Sequence, residues 1–302
     1  MSPPFNFLSG NAALALIAAV TWGGGDFAGG MSVKRAGGTL QAALRTVLLS
    51  HSASLAALLL LLFVRRDTLP QGALLAWGLA AGFFGGTSVL CFYLCLARGT
   101  MGAPAAISGL LAAAIPSLVS GILEGAPRPL HLLGFFLAAG AIWLIAAGPQ
   151  SVASPPGTLV LSIAAGAGFG LYFVALRMAG IGGVLWPLAL SRSVSISVCL
   201  AGIAWMAITA KSRPREPRVA GAPWLNRKAV PWALATALLD TSGNLFFIAA
   251  TRAGRLDVAA VLASLYPAST ILLAAWLLRE RPGRQQAAGM ALAALAVVLI
   301  TL

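Results

Sequence analysis

Five ionisable side chains stand inside long apolar stretches of this sequence: Asp26, Arg45, His51, Arg192 and Asp240. Burying a charge in hydrocarbon costs at least about 2.5–3.5 kcal/mol on insertion scales, so each is a functional candidate. Asp26 follows three glycines, Gly23 to Gly25, which weaken a helix and let another backbone come close. Its carboxylate could face a wet cavity and take a proton, or serve as the structural partner of a buried arginine. Asp240 stands beside Thr241, Ser242 and Asn244, a polar ridge that reads as cavity lining. A guanidinium grips a carboxylate bidentately, so Arg45 and Arg192 could hold an acidic solute group. Structural counter-charge and snorkelling to the interface are the alternatives. His51 reads as a packed, hydrogen-bonded histidine before a proton relay.

A cavity for an amphipathic solute needs aromatic walls and a few convergent polar groups. Trp22, Phe83, Phe84, Tyr93, Tyr172, Phe246, Phe247 and Tyr266 can supply the walls. The candidate solute-binding set is Trp22, Asp26, Arg45, Tyr93, Tyr172, Arg192, Asp240, Asn244, Phe247 and Tyr266. Gly24, Gly170, Pro116 and Pro267 are candidate hinges. Trp186, Trp224 and Trp232 fall near the ends of apolar runs and read as interfacial anchors. Glu124 and Glu280 sit in basic turns beside Arg128 and beside Arg279 and Arg281, as local ion pairs. The run Gly166-Ala167-Gly168-Phe169-Gly170 looks like a phosphate loop but lies inside an apolar stretch. Small residues four apart, as in Gly82 and Gly86, favour close helix packing instead. Cys91, Cys95 and Cys199 have no metal or redox spacing and read as packing residues. No metal site, cofactor or catalytic group is expected.

The elements that must position these groups follow from composition. Of the 302 residues 59% are hydrophobic and only 9% charged, with a mean hydropathy of +0.92. Water-soluble domains run near a quarter charged, so lipid must replace water as the solvent for much of this surface. A span needs roughly 20 apolar residues, and the apolar runs place about ten. They lie near 12–31, 39–64, 72–97, 103–123, 130–148, 158–179, 186–210, 230–251, 256–278 and 285–302. The first lacks a positive leader and a small-residue cleavage site, and is expected to be retained. The formal charge of +13 comes from Lys and Arg concentrated in short segments between runs. That distribution is a topology signal suited to anionic lipid headgroups, and nothing pairs a basic patch with exposed aromatics as nucleic-acid binding would need.

A faint repeat runs through the chain. Ile17-Ala18-Ala19 leading to Phe27 resembles Ile163-Ala164-Ala165 leading to Phe173, and Leu44-Arg45-Thr46-Val47 resembles Ser191-Arg192-Ser193-Val194. Ala97-Arg98 before Ala105-Ala106 resembles Thr251-Arg252 before Ala259-Ala260, and Pro116 with Glu124 resembles Pro267 with Glu280. The Pro- and Ser-rich stretch Gly148 to Gly157 becomes the joint, giving halves 1–150 and 151–302. An odd number of crossings per half inverts the second copy in the membrane. The expected fold is therefore an all-α polytopic membrane protein of about ten transmembrane helices in two inverted five-helix repeats, with its cavity between them near the midplane.

Leu265-Tyr266-Pro267, then Leu278-Arg279-Glu280-Arg281 and Gly289, resembles the closing half of an EamA domain, and Trp22-Gly23-Gly24-Gly25-Asp26-Phe27 resembles that family's first helix. The resemblance covers nearly the whole chain. It implies a member of the drug/metabolite transporter superfamily and, within it, an exporter of amino acids, aromatic ones included, of the YddG type. The expectation is a secondary transporter working by alternating access in a bacterial inner membrane, as a monomer. Its partners would be a small-molecule substrate and the lipid bilayer, with protons as the candidate coupling ion and no nucleic acid. The alternative is a proton-coupled exporter of cationic drugs, with Asp26 as the shared site. A membrane-embedded enzyme acting on lipid would need a catalytic pair, and neither His51 nor His131 has a matching Asp or Ser at motif spacing. The resemblance implies cytoplasmic termini, whereas loop charge favours the reverse.

Overall fold

The computed structural model describes residues 10–98, 102–146, 157–211, 224–277 and 283–301. The helices among them are α1 (Gly10–Arg35), α2 (Leu40–Arg65), α3 (Ala73–Arg98), α4 (Gly102–Leu123), α5 (Pro129–Ala146) and α6 (Thr158–Gly180). They continue with α7 (Leu185–Lys211), α8 (Val230–Ala253), α9 (Leu256–Ala263), α10 (Tyr266–Leu277) and α11 (Arg284–Thr301). No strand occurs among the described residues. Six helices, α1, α2, α3, α6, α7 and α8, are long and apolar enough to cross a membrane, and shorter apolar helices supply the rest. The expected joint over 148–157 and the boundary at 150 and 151 lie almost wholly outside the described residues, as do Arg279, Glu280 and Arg281.

One predicted span is not continuous. The ninth, expected as one helix over 256–278, is α9 and α10 separated by Ser264 and Leu265. Pro267 is the cause. It has no N–H to give the Ala263 carbonyl, and its ring crowds that carbonyl. The chain tightens instead, with the Leu265 amide donating to the Leu262 carbonyl at 3.2 Å and the Ala268 amide to the Leu265 carbonyl at 3.0 Å. Pro116, by contrast, sits inside an unbroken α4.

Contacts between helices fix their relative sense. α1 runs against α8, with Trp22 at Gly243, Gly25 at Asp240 and Gly29 near Thr236. α2 follows α8, from Thr46 and Ser32 beside Ala229 to Ser54 at Thr241. It opposes α7, with Leu44 at Gly202, His51 at Ser195 and Ser54 at Arg192. α7 in turn runs with α3, from Leu190 at Gly78 to Ser195 at Gly86, and α3 opposes α6, with Gly85 at Tyr172 and Ser88 at Gly168. Following this chain of contacts, α1 and α6 cross in opposite senses, and so do α2 and α7, and α3 and α8. α1 also runs with α9 and α10, from Asn11 at Arg255 to Gly23 at Tyr266, just as α6 runs with α4, from Gly166 at Ser108 to Gly170 at Ile115. α5 and α11 pair antiparallel beside them, with Gly134 at Ile300 and Ile145 at Gly289. The inverted five-helix arrangement is thus written in the helix contacts. Gly10 and Thr301 consequently share one face, here the near face, with the α2–α3, α4–α5, α6–α7 and α8–α9 connections.

In lipid there is no hydrophobic force between helices, so close approach of small residues holds them. Ala12, Ala15 and Ala18 of α1 and Ala259, Ala260 and Ala263 of α9 are fully buried, whereas Phe63, Ile122, Phe136 and Trp276 face outward. Gly23 tests this packing against backbone as well as side chain. A Cβ there would lie 2.5 Å from both the Tyr266 carbonyl and the Ser269 Cβ. Gly23→Ala is expected to cost about 1–3 kcal/mol, the range for overpacking. Gly30, with nothing within 4 Å of its Cβ position, is the control: Gly30→Ala should hold or gain up to about 1 kcal/mol. Thermal unfolding midpoints in detergent would separate the two.

Candidate functional site

A polar network crosses the centre of the bundle. Arg192 of α7, 4% exposed, is its hub. Its Nη2 donates to Asp240 Oδ2 of α8, its Nη1 to His51 Nε2 of α2 at 3.1 Å, and its Nε to Ser54 Oγ at 3.3 Å. Arginine has only donors, so His51 Nε2 must accept. The histidine proton therefore sits on Nδ1, which donates to Ser195 Oγ at 2.8 Å. His51 is neutral and committed on both nitrogens. Asn244 Nδ2 donates to the Asp240 backbone carbonyl at 2.7 Å and to Asp240 Oδ1 at 3.2 Å, while its Oδ1 accepts from the Tyr172 hydroxyl at 2.6 Å. Ser54 and Thr241 hydroxyls meet at 2.6 Å.

This network forms one wall of a chamber between the halves. Trp22 and Asp26 of α1, Tyr93 of α3, Tyr172 of α6 and Tyr266 of α10 complete it. Asp26 differs from Asp240 in one respect: among the described residues no hydrogen-bond donor or cation engages its carboxylate. The glycines before it explain how it reaches the chamber. Gly25 lets α1 lie against the backbone of Asp240, Thr236 donates to the Gly25 carbonyl at 3.3 Å, and Thr270 donates to the Gly23 carbonyl at 3.0 Å. The chamber volume is about 60 Å³, room for a few waters and far below the roughly 300–1,000 Å³ that drug-sized ligands occupy. A solute of that size would fit only if the helices parted.

The structure brings Trp22, Asp26, Tyr93, Tyr172, Arg192, Asp240, Asn244 and Tyr266 together on this chamber. It leaves out Phe247 and Arg45. Phe247 is fully buried behind the wall, 5.3 Å from the Trp22 ring and 4.6 Å from Phe173, which itself stacks on Trp22 at 4.9 Å. Arg45 is half-buried elsewhere on α2, with a buried Nε that has no hydrogen-bond partner among the described residues. The repeat explains the asymmetry. Asp240 lies twelve residues before Arg252, and the residue twelve before Arg98 is Gly86. The first half therefore lacks the acid that Arg192 uses. In the first helix of each half the offset is 146, as for Ile17 and Ile163, which pairs Asp26 with Tyr172, and both line the chamber.

His51, Ser191 and Ser195 also line the chamber, as do Phe92 and Phe169. A signal for two partners was present: Ser54 is three residues after His51, and Ser195 three after Arg192, the spacing that shares a helix face. Phe83 turns outward at 54% exposure, and Phe84 and Phe246 pack half-buried against the core. Of the hinge candidates, Gly24 and Gly170 sit at helix contacts, where a Cβ would come within 3.2 Å of Leu239 and 2.7 Å of Ile115. Trp186 is tied down, its indole N–H donating to the Asp67 carbonyl at 3.0 Å, and Trp232 lies under Arg35 at 5.3 Å.

Glu124 does not pair with Arg128 as its turn implied. Its Oε1 lies 3.5 Å from Arg177 of α6, and its Oε2 accepts from Ser120 at 2.7 Å and from the Leu256 amide at 2.9 Å. Arg255 closes the tie, donating to the carbonyls of Glu124 at 3.1 Å and Gly125 at 2.8 Å. Its hydrogen bonds to Asp257 push the guanidinium above its ordinary range, so it stays charged. The cluster joins the two halves on the near face.

Helices crossing in opposite senses around a small polar chamber define a multi-pass membrane protein of the inverted-repeat kind. Residues 156–302 match the model of the EamA-like transporter family, and members of that family are transporters. A solved structure titled "Crystal structure of protein" superposes with a TM-score of 0.69 at 19% identity, covering 97% of this chain and 99% of that one. At that identity the likeness shows the fold. No curated protein matches the chain.

Proposed function

We propose that this protein is a secondary transporter that moves small amine-bearing metabolites, amino acids including aromatic ones, out of the cell by alternating access about the central chamber. The unshared Asp26 carboxylate facing that chamber carries the reading. With both acids ionised, Asp26 and Asp240 set two negative charges against the one positive charge of Arg192, which leaves Asp26 to pair with a solute ammonium. Trp22, Tyr93, Tyr172 and Tyr266 offer aromatic faces to a side chain and to the ammonium. On this reading residues 1–150 are a second EamA-like copy, Gly24, Gly170, Pro116 and Pro267 are flexing points, and the protein works in a bacterial inner membrane as a monomer without a cofactor.

The same charge balance favours a second reading, a proton-coupled exporter of cationic compounds. An organic cation or a proton neutralises the site equally well, so Asp26 would carry them in turn. Counterflow in proteoliposomes with a panel of amino acids and cationic dyes separates the two. Amino-acid exchange supports the first reading, and dye exchange without amino-acid exchange supports the second. Movement of neither class sinks both.

A further inference from the structure

We propose that the groove flanking the α2–α3 connection on the near face binds an anionic glycerophospholipid. The first observation is backbone strain. Arg66, the residue that ends α2, sits at φ 56 and ψ 34, the one non-glycine residue with positive φ among the described residues. Its amide caps α2 by donating to the carbonyls of Leu62 and Phe63, a position that glycine usually fills. An L side chain there is disfavoured, and a strained non-glycine residue points to a use for its side chain.

The groove gives that use a shape. Two cavities of about 630 and 680 Å³ meet at Asp67, Thr68 and Trp186. One end is apolar and opens where lipid lies, with Leu59, Phe63 and Val64 exposed at 46%, 81% and 70%. The other cavity is basic, with Arg65 and Arg252, and Arg66 stands on the apolar cavity beside the shared Asp67, the single acid on either lining and 3.4 Å from Arg65. One nitrogen of Arg252 is held by the Gly180 carbonyl at 3.2 Å, which fixes the group beside the groove and leaves its other donors available. Apolar wall, tryptophan at the boundary and a surplus of guanidinium match the acyl chain, glycerol and phosphate of one phospholipid in order. The surplus positive charge selects an anionic headgroup over a zwitterionic one. A lipid seated here touches both halves, since Arg65 and Arg66 belong to the first and Trp186 and Arg252 to the second.

The test is thermal unfolding of the full-length protein in neutral detergent with phosphatidylglycerol, with phosphatidylcholine of the same chains, or with inorganic phosphate. Phosphatidylglycerol should raise the midpoint more than phosphatidylcholine, and phosphate alone should leave it unmoved. Arg66→Gly, which relieves the strained φ and so should fold at least as well, should lose part of the phosphatidylglycerol excess. Arg65→Gln with Arg66→Gly and Arg252→Gln should lose all of it, and native mass spectrometry should show that lipid no longer retained. Equal shifts from the two lipids, an equal shift from phosphate, or an undiminished excess in Arg66→Gly would each overturn the proposal.

Discussion

Arg192→Leu is expected to cost stability, up to the about 3–5 kcal/mol of a fully buried pair, because it removes the buried member of an ion pair and leaves Asp240, 30% exposed, uncompensated. The loss has three sources in the geometry. Asp240 loses its cation, His51 Nε2 loses the donor that fixes its tautomer, and Ser54 loses a partner. Adding Asp240→Leu should restore most of the stability, since an apolar pair of similar size is often tolerated where a broken pair is not. Arg45→Leu should change the midpoint little or raise it, since the buried Nε of Arg45 has no hydrogen-bond partner among the described residues to lose. Thermal unfolding of the three variants in detergent checks this. If Arg45→Leu cost as much as Arg192→Leu, the network would not be one-sided.

Asp26→Asn should have the opposite signature, with stability kept and transport lost. Among the described residues no donor or cation engages the Asp26 carboxylate, so an amide of the same shape breaks no contact among them. What it removes is the charge-assisted contact to a solute ammonium, worth about 1.5–3 kcal/mol, or roughly ten- to a hundredfold in affinity. A melt on purified protein and initial-rate uptake at several solute concentrations would separate the two effects. A large drop in midpoint would make Asp26 a structural residue instead.

The sequence told where charge enters the membrane more clearly than which way it points. Asp26, Arg192 and Asp240 were legible because charges in apolar runs are costly and therefore few, and all three meet at the chamber. Arg45 looked equal to Arg192 because the repeat preserves position along a helix. It does not preserve the partner, and Gly86 stands where the matching acid would be. Phe247 reads as an aromatic wall a few residues beyond the polar ridge of an otherwise apolar helix, yet its face turns into the Trp22 and Phe173 stack. Only the packing of α1 and α6 on α8 decides that. Glu124 misled for a related reason: Arg128 is near in sequence, but Arg177 and the start of α9 are near in space. The break before Tyr266 was readable in principle from Pro267 alone.

The most direct measurement is amino-acid counterflow in proteoliposomes holding wild-type or Asp26→Asn protein at matched, verified incorporation. The chamber account predicts saturable exchange through the wild type, and exchange reduced at least about tenfold in the variant at subsaturating solute. Exchange at the wild-type rate through Asp26→Asn would contradict it.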